Sequence, residues 1–297
     1  MAAISSLFTA LSALRRNPVI FFGGLISGLV TLPQFATQLA GIPLVPTGLQ
    51  ILTFFIMPFV AAGIYGMAQE SLSNQQTSFS TFTAVGREKY VPLLLANLVN
   101  FGIYLAFIIV FGIVAVAAVA TIGIGALAGG GDFALGTGAI IALVVVALLA
   151  LVFFIIQFVI QFFPVAVVVD DAGAIEAFGD SYRLVRANIL PAIGYWIITF
   201  IAGAIVTAPV TGFVIFRTFQ NIQDVQSAQA AGGAMPNAAA GLGLSLVEVL
   251  SLSAISLALT MLLTAFVSTY AVSFYQAHAA PNVGPDIEGD DVIPEFE

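Results

Sequence analysis

Residues 138–168 read GAIIALVVVALLALVFFIIQFVIQFFPVAVV and contain no Asp, Glu, Lys, Arg or His. About 20 consecutive apolar residues suffice to cross the ~30 Å hydrocarbon core of a bilayer, so this stretch reads as a transmembrane helix. Working outward, further uncharged runs extend from Asn17 to Gln69, Tyr90 to Gly131, Ala187 to Phe216 and, with His278 taken as neutral, Val249 to Pro285. The 297-residue chain is 60% hydrophobic and 7% charged, with a mean hydropathy of +1.11. Soluble domains carry about a quarter charged residues, so no soluble globular fold fits. The expected architecture is an all-α, polytopic membrane bundle of six transmembrane helices with short interfacial amphipathic helices.

The six expected spans are 18–40, 48–70, 90–122, 138–168, 189–216 and 243–275. The first uncharged run must fold back on itself, because Gly41-Ile-Pro-Leu-Val-Pro-Thr-Gly48 places two prolines and two glycines between its halves. The third, fourth and sixth spans exceed the length a helix needs, so tilting or interfacial starts are expected. Pro33, Pro58, Pro164 and Pro209 lie within spans and predict kinks. Residues 1–279 are expected to form one transmembrane domain, and 280–297 a disordered acidic tail. Of the fifteen Asp and Glu, Asp286, Glu288, Asp290, Asp291, Glu295 and Glu297 lie in that tail, which accounts for most of the net charge of -8.

Lys and Arg are retained on the cytoplasmic side of short loops. Arg15 and Arg16 precede span one, Arg87 and Lys89 join spans two and three, and Arg183 and Arg186 join spans four and five, leaving only Arg217 on the opposite side. A multi-pass cell-membrane protein with both termini cytoplasmic is therefore expected. Arg15-Arg16 loosely resembles a twin-arginine signal, but the helical apolar stripe Ile4, Leu7, Phe8, Leu11 and Leu14 ahead of it argues against a cleaved leader.

The three basic segments share a pattern. Residues 7–18, 82–92 and 177–191 each combine an aromatic residue, a helical apolar face and a basic pair, then a proline opening a span (Pro18, Pro92, Pro191). In the third, Ile175, Phe178, Tyr182 and Val185 lie on one face, with Glu176, Asp180 and Arg183 opposite, as in a helix lying in the membrane interface. Three units are expected, each an interfacial helix followed by a two-span hairpin. Either duplication or a shared constraint on basic flanks produces such a pattern.

The stretch from Asp170 to Asn188 carries Glu176-Ala177, Ser181, Arg186 and Asn188. It resembles a segment of a broad family of six-span membrane proteins of unknown function, related to the membrane domain of glycerophosphodiester phosphodiesterases. The opening Leu14-Arg-Arg-Asn-Pro-Val-Ile-Phe-Phe-Gly-Gly24 resembles members from salt-loving archaea. Six arginines against one lysine with an acidic net charge suit a salt-rich cytoplasm. The resemblance implies no catalytic role for Glu176, Ala177, Ser181, Arg186 or Asn188. Without an accompanying hydrolase domain, phosphodiesterase activity does not carry over.

Many chemistries are excluded. The chain has no cysteine, one histidine (His278) and one lysine (Lys89, outside any GxxxxGK[ST] spacing), so thiolate metal sites, HExxH proteases and a P-loop are ruled out. Gly129-Gly-Gly-Asp132 imitates an intramembrane aspartyl protease string, yet no second aspartate falls within a span, and a turn is expected. Gly123-Ile-Gly-Ala-Leu-Ala128 follows no strand and reads as helix packing or a helix end. The tail spacing of Asp286, Glu288, Asp290 and Glu297 imitates an EF-hand but puts Asp291 where glycine is required. No catalytic residue, cofactor or metal is expected.

What remains is packing. Gly24 and Gly28 form a GxxxG contact, and Ser256, Thr260, Thr264 and Ser268 a hydroxyl stripe at helical spacing. Asn97, Asn100, Gln157 and Gln161 reach a similar depth when counted outward from Gly130 and are expected to face one another or a third helix across the hairpin of spans three and four. Arg217 and Glu248 are expected to pair at the outer surface. The expected partners are the lipid bilayer and other membrane proteins, with no nucleic acid. The sequence is read as a non-enzymatic scaffold, assembly or regulatory component. The alternative is a small-solute or lipid transporter, for which the ionisable residues within spans are few.

Overall fold

A computed structural model describes residues 2–128, 137–230 and 243–279 of the chain, and these are helical apart from short connections. A short helix α1 (Ala2–Arg16) precedes the hairpin of α2 (Ile20–Leu39) and α3 (Val45–Leu72). A very long α4 (Phe79–Ala128) is followed by α5 (Thr137–Ile160) and the short α6 (Phe163–Val169). Then come α7 (Glu176–Ala187), α8 (Ile189–Ala230) and α9 (Leu246–His278). Six stretches are long and apolar enough to cross a membrane: Ile20–Leu39, Val45–Leu72, Phe79–Ala117, Ile140–Val169, Ile189–Gln220 and Leu246–His278. The protein is a six-span membrane helical bundle.

The local chemistry explains the boundaries. Between α2 and α3, Gly41 and Leu44 both take φ of 66°, and Pro46 sits in the first turn of α3, where its missing N–H costs nothing. At the start of α9, Ser245 and Glu248 form a reciprocal capping box, with Ser245 N donating to Glu248 Oε2 over 2.8 Å. Helices run unbroken through Pro33, Pro58 and Pro209.

One expectation needs correction. Segment 82–92 is not a separate interfacial helix but the beginning of α4, continuous through Pro92. Gly63 and Gly66 of α3 allow the close approach of Phe82 and Val85, and a Cβ at either glycine would lie 2.7 Å from Phe82 O or from the Val85 side chain. That packing holds the segment against α3 on one axis with the span that follows. Span four bends where a kink at Pro164 is expected: the helix is interrupted at Gln161–Phe162 between α5 and α6, and Pro164 opens the second piece.

Burial is concentrated at one end, here named the basic end. The main core joins Ala62 and Ala68 of α3, Leu93 and Ala96 of α4, Phe163 to Val168 of α6, Ala177, Leu184 and Val185 of α7, Tyr195 of α8 and Tyr270 to Tyr275 of α9. Towards the other end, α4, α5 and α8 expose Ile108, Ile113, Leu143, Leu148 and Ile205, side chains that a bilayer would cover. One close contact extends along α2, where a Cβ on Gly24 would collide with the carbonyl oxygen of Met261 and one on Gly28 would lie 2.7 Å from Leu257. The GxxxG face of α2 therefore meets α9 backbone to backbone.

Candidate functional site

The polar groups of the basic end are spent on joining helices, and they do so in a repeated order. Taking α1–α3, α4–α6 and α7–α9 as three units, each unit ties the region where its first span begins to the end of its second. In the first, Asn17 Nδ2 donates to Ser71 Oγ at 2.8 Å and to Gln75 O at 3.4 Å, while Thr77 N donates to Asn17 Oδ1 at 3.2 Å. In the third, Asn188 Nδ2 donates to Leu184 O at 3.1 Å and to His278 O at 3.4 Å, at the end of α9. In the second, Lys89 takes the place of the asparagine, paired with Asp171 just past α6 and with Glu88 at 2.9 Å. Lys89 is only 7% exposed, and an unpaired ammonium at that burial would be strongly unfavourable.

A second set of contacts links each unit to the next. Thr81 Oγ1 of α4 donates to Glu70 Oε2 of α3 at 2.6 Å, beside the Phe82–Gly63 contact. Ser181 of α7 donates to Val159 O at 2.8 Å and accepts from Phe162 N at 3.0 Å, so one hydroxyl satisfies two of the backbone groups freed by the break between α5 and α6. Phe178 stacks on Phe163 beside it, with ring centres 4.6 Å apart. Tyr270 and Ser273 of α9 donate to Ala3 O and Ser6 O of α1, each at 3.0 Å, which closes the ring. Tyr275 OH adds a bond of 2.5 Å to Asp170, and an aromatic cluster of Phe162, Tyr195, Tyr270 and Phe274 fills the seam between the α5–α6 break, α8 and α9. Arg15, Arg16, Arg87, Arg183 and Arg186 remain exposed at this end.

The family-like residues fall inside this arrangement. Ala177 and Ser181 are fully buried, and Ala177 supplies the smallness that lets α7 lie close. Asn188 is the third-unit clamp. Glu176 Oε2 accepts from Gly173 N at 3.4 Å, and Arg186 lies against Tyr182, 5.9 Å from the ring centre. The apolar stripe expected on α7 is divided, with Val185 buried, Phe178 half-buried, and Ile175 and Tyr182 exposed. The face turned to protein is Ala177, Ser181, Leu184 and Val185.

The four amides do not form one cluster. Gln157 Nε2 reaches Asn100 Oδ1 at 3.5 Å across the α4–α5 pair, but Gln161 turns back to Phe158 O of its own helix at 2.9 Å. Asn97 makes no side-chain hydrogen bond among the described residues. The break after Ile160 is the reason, since it alters the turn on which Gln161 would have aligned with Asn97. Arg217 and Glu248 come together, Nη2 to Oε1 at 2.7 Å, with Gln220 Oε1 3.4 Å from Arg217 Nη1. His278 Nδ1 lies 2.8 Å from Phe274 O, its ring stacked on Phe274. The strings at Gly129–Asp132 and in the tail lie outside the described residues.

Sequence reasoning passed over Asn17, Lys89, Asp170, Asp171 and Tyr275. A signal existed for the first two, which stand one and three residues before the prolines marking the start of a span. No metal-holding group of His, Cys, Asp and Glu occurs among the described residues. A family model described as a domain of unknown function, DUF7847, matches residues 1–278. No curated protein and no solved structure matches the chain.

Proposed function

We propose that this chain, which belongs to the DUF7847 family of unknown function, is a non-enzymatic scaffold or assembly component of the cell membrane, presenting its basic end to the cytoplasm. The observation that carries this reading is the ring of clamps. Most polar and ionic groups at that end hold helices to one another, leaving the exposed Arg15 and Arg87 and a neutral crevice as the surface a partner would meet. That crevice, about 280 Å³, lies between α1, α3 and α9 and is lined by Ser6, Thr9, Leu72, Ser273 and Gln276. The likeness to six-span membrane proteins of salt-loving archaea, and to the membrane domain of glycerophosphodiester phosphodiesterases, fits a module that works beside other proteins.

One observation favours transport instead. Thr207 and Thr211 of α8 face Ser256 and Thr260 of α9 across a cavity of about 150 Å³ reaching Phe35 of α2, a place where a small solute could find hydroxyl partners. Affinity purification from gently solubilised membranes separates the two readings. Scaffolding predicts a protein partner retained in fixed ratio and lost from Arg15→Ala/Arg87→Ala, a variant that keeps its thermal stability. Recovery of the chain alone, together with swelling of proteoliposomes in iso-osmotic glycerol that Thr260→Val abolishes, would replace scaffolding with transport.

A further inference from the structure

A cavity of about 430 Å³ opens between α2, α3 and α4, lined by Gln34 and Gln50 at one end and by Phe54, Met57, Leu98 and Phe101 along its length. It lies on the seam between the first and second units. The corresponding seam between the third and first units, where α2 meets α8 and α9, holds the smaller cavity of Thr207 and Ser256. The groove therefore occupies a position the unit arrangement leaves open more than once. No charged residue lines it, and it opens on a face where Ile51, Phe55, Leu98 and Phe101 are about half exposed, a face that hydrocarbon covers in a membrane.

Its two ends differ in chemistry. Gln34 Nε2 donates to Gln50 Oε1 at 3.0 Å. This fixes both amides, yet leaves the Gln50 NH₂ with two donors and the Gln34 carbonyl oxygen as an acceptor. Gln34 stands five residues before the end of α2 and Gln50 five after the start of α3, so at ~1.5 Å per residue both lie about 7.5 Å inside the hairpin tip. With the α2–α3 hairpin tip at the bilayer surface, that depth is the level of the lipid glycerol oxygens, and the aromatic part of the groove runs inward from there. Size decides between occupants. A helix about 10 Å wide fills roughly 420 Å³ in a single 5.4 Å turn, so the groove would admit one turn of a neighbouring helix and no more. A single hydrocarbon chain, thin and flexible, follows it along its length.

We infer that this groove binds one hydrocarbon chain of a membrane lipid from the leaflet opposite the basic end, with the Gln34–Gln50 amides hydrogen-bonded to an uncharged oxygen at the glycerol level. The inference stands apart from the scaffold reading, since a lipid can occupy the groove of a scaffold or of a transporter.

The test reconstitutes the full chain into phosphatidylcholine vesicles containing a trace of phosphatidylcholine with a photoactivatable diazirine in one acyl chain, then maps adducts by peptide mass spectrometry. Adducts should concentrate on Phe54, Met57, Leu98 and Phe101, several-fold above the lipid-facing controls Ile108 and Leu143. Met57→Trp or, should that variant not fold, Leu98→Trp should fill the groove and remove the excess while leaving the controls labelled. Gln34→Leu/Gln50→Leu should lower groove labelling about fivefold, the equivalent of one net hydrogen bond. Equal adduct density at groove and control positions, an excess that survives the filling variant, or cross-links joining two copies of the chain at the groove would each overturn the inference.

Discussion

Ser181 shows how much one side chain can hold. A helix broken within a bilayer leaves backbone groups that hydrocarbon cannot solvate, and here Val159 O and Phe162 N share a single hydroxyl. Ser181→Ala removes the partner of both while opening almost no space, so it should destabilise the protein by about 1–3 kcal/mol, read as a lower midpoint in thermal or SDS unfolding. An unchanged midpoint would mean that water or Gln161 takes over the role. Gly24 makes the opposite point, because what matters there is an absent atom. Gly24→Ala should disrupt the α2–α9 contact, since the new methyl collides with the Met261 carbonyl, whereas Gly102→Ala on α4 meets nothing within 4 Å and gains helix propensity. Size-exclusion profiles of the two variants should differ accordingly. If both remained monodisperse and equally stable, the close approach of α2 to α9 would be wrong.

At the scale of helices, what the sequence made legible was whatever lipid alone dictates. Length and apolarity placed five of the six spans within about four residues, because hydrocarbon thickness leaves little choice, while the third begins at Phe79 and not at Tyr90 because segment 82–92 continues its helix. Gly24 and Gly28 were legible for the same reason that any small-residue stripe in an apolar helix is. The face of α7 that meets protein was not. Apolar residues mark a protein-facing side in water, but beside a bilayer Ile175 and Tyr182 can face lipid while Ala177 and Ser181 make the protein contact. The break after Ile160 was legible as the kink expected at Pro164, but its compensation was not, since Ser181 lies 19 residues beyond Phe162 and on another helix. That break also left the amide group half assembled. A double-mutant cycle on Asn100→Ala and Gln157→Ala should give a coupling of about 0.6 kcal/mol, the ordinary worth of an interhelical hydrogen bond in a membrane. Asn97→Ala and Gln161→Ala should add independently, and a larger coupling between them would restore a single four-amide cluster.

At the scale of the whole molecule, the three units meet in cyclic order, and that has consequences for both topology and connectivity. All the clamps, and every basic residue except Arg217, belong to one end, so the positive-inside bias predicts the side on which that end lies. Cysteines at Ser78 and Ala174 should resist an impermeant thiol reagent in intact cells while one at Thr47, in the α2–α3 hairpin tip, reacts; labelling at Ala174 would reverse the orientation. Cyclic order further implies that the linear order of the units is not essential. Tyr270 and Ser273 near the end of α9 already bond to Ala3 and Ser6 near the start of α1, as closely as α7 meets α5 and α6 within the chain. A circular permutant that starts at Ser78, with an added flexible linker joining α9 to α1, cuts between units and keeps both new termini at the basic end. Such cuts are tolerated where few contacts depend on the severed backbone. This permutant should insert, remain monodisperse and keep most of the parental thermal stability. One opened at Thr47 divides the first unit and places its termini across the bilayer from the clamps, so it should fail to accumulate. If the two permutants behaved alike, the three-unit ring would describe a pattern of contacts rather than the units that fold and assemble.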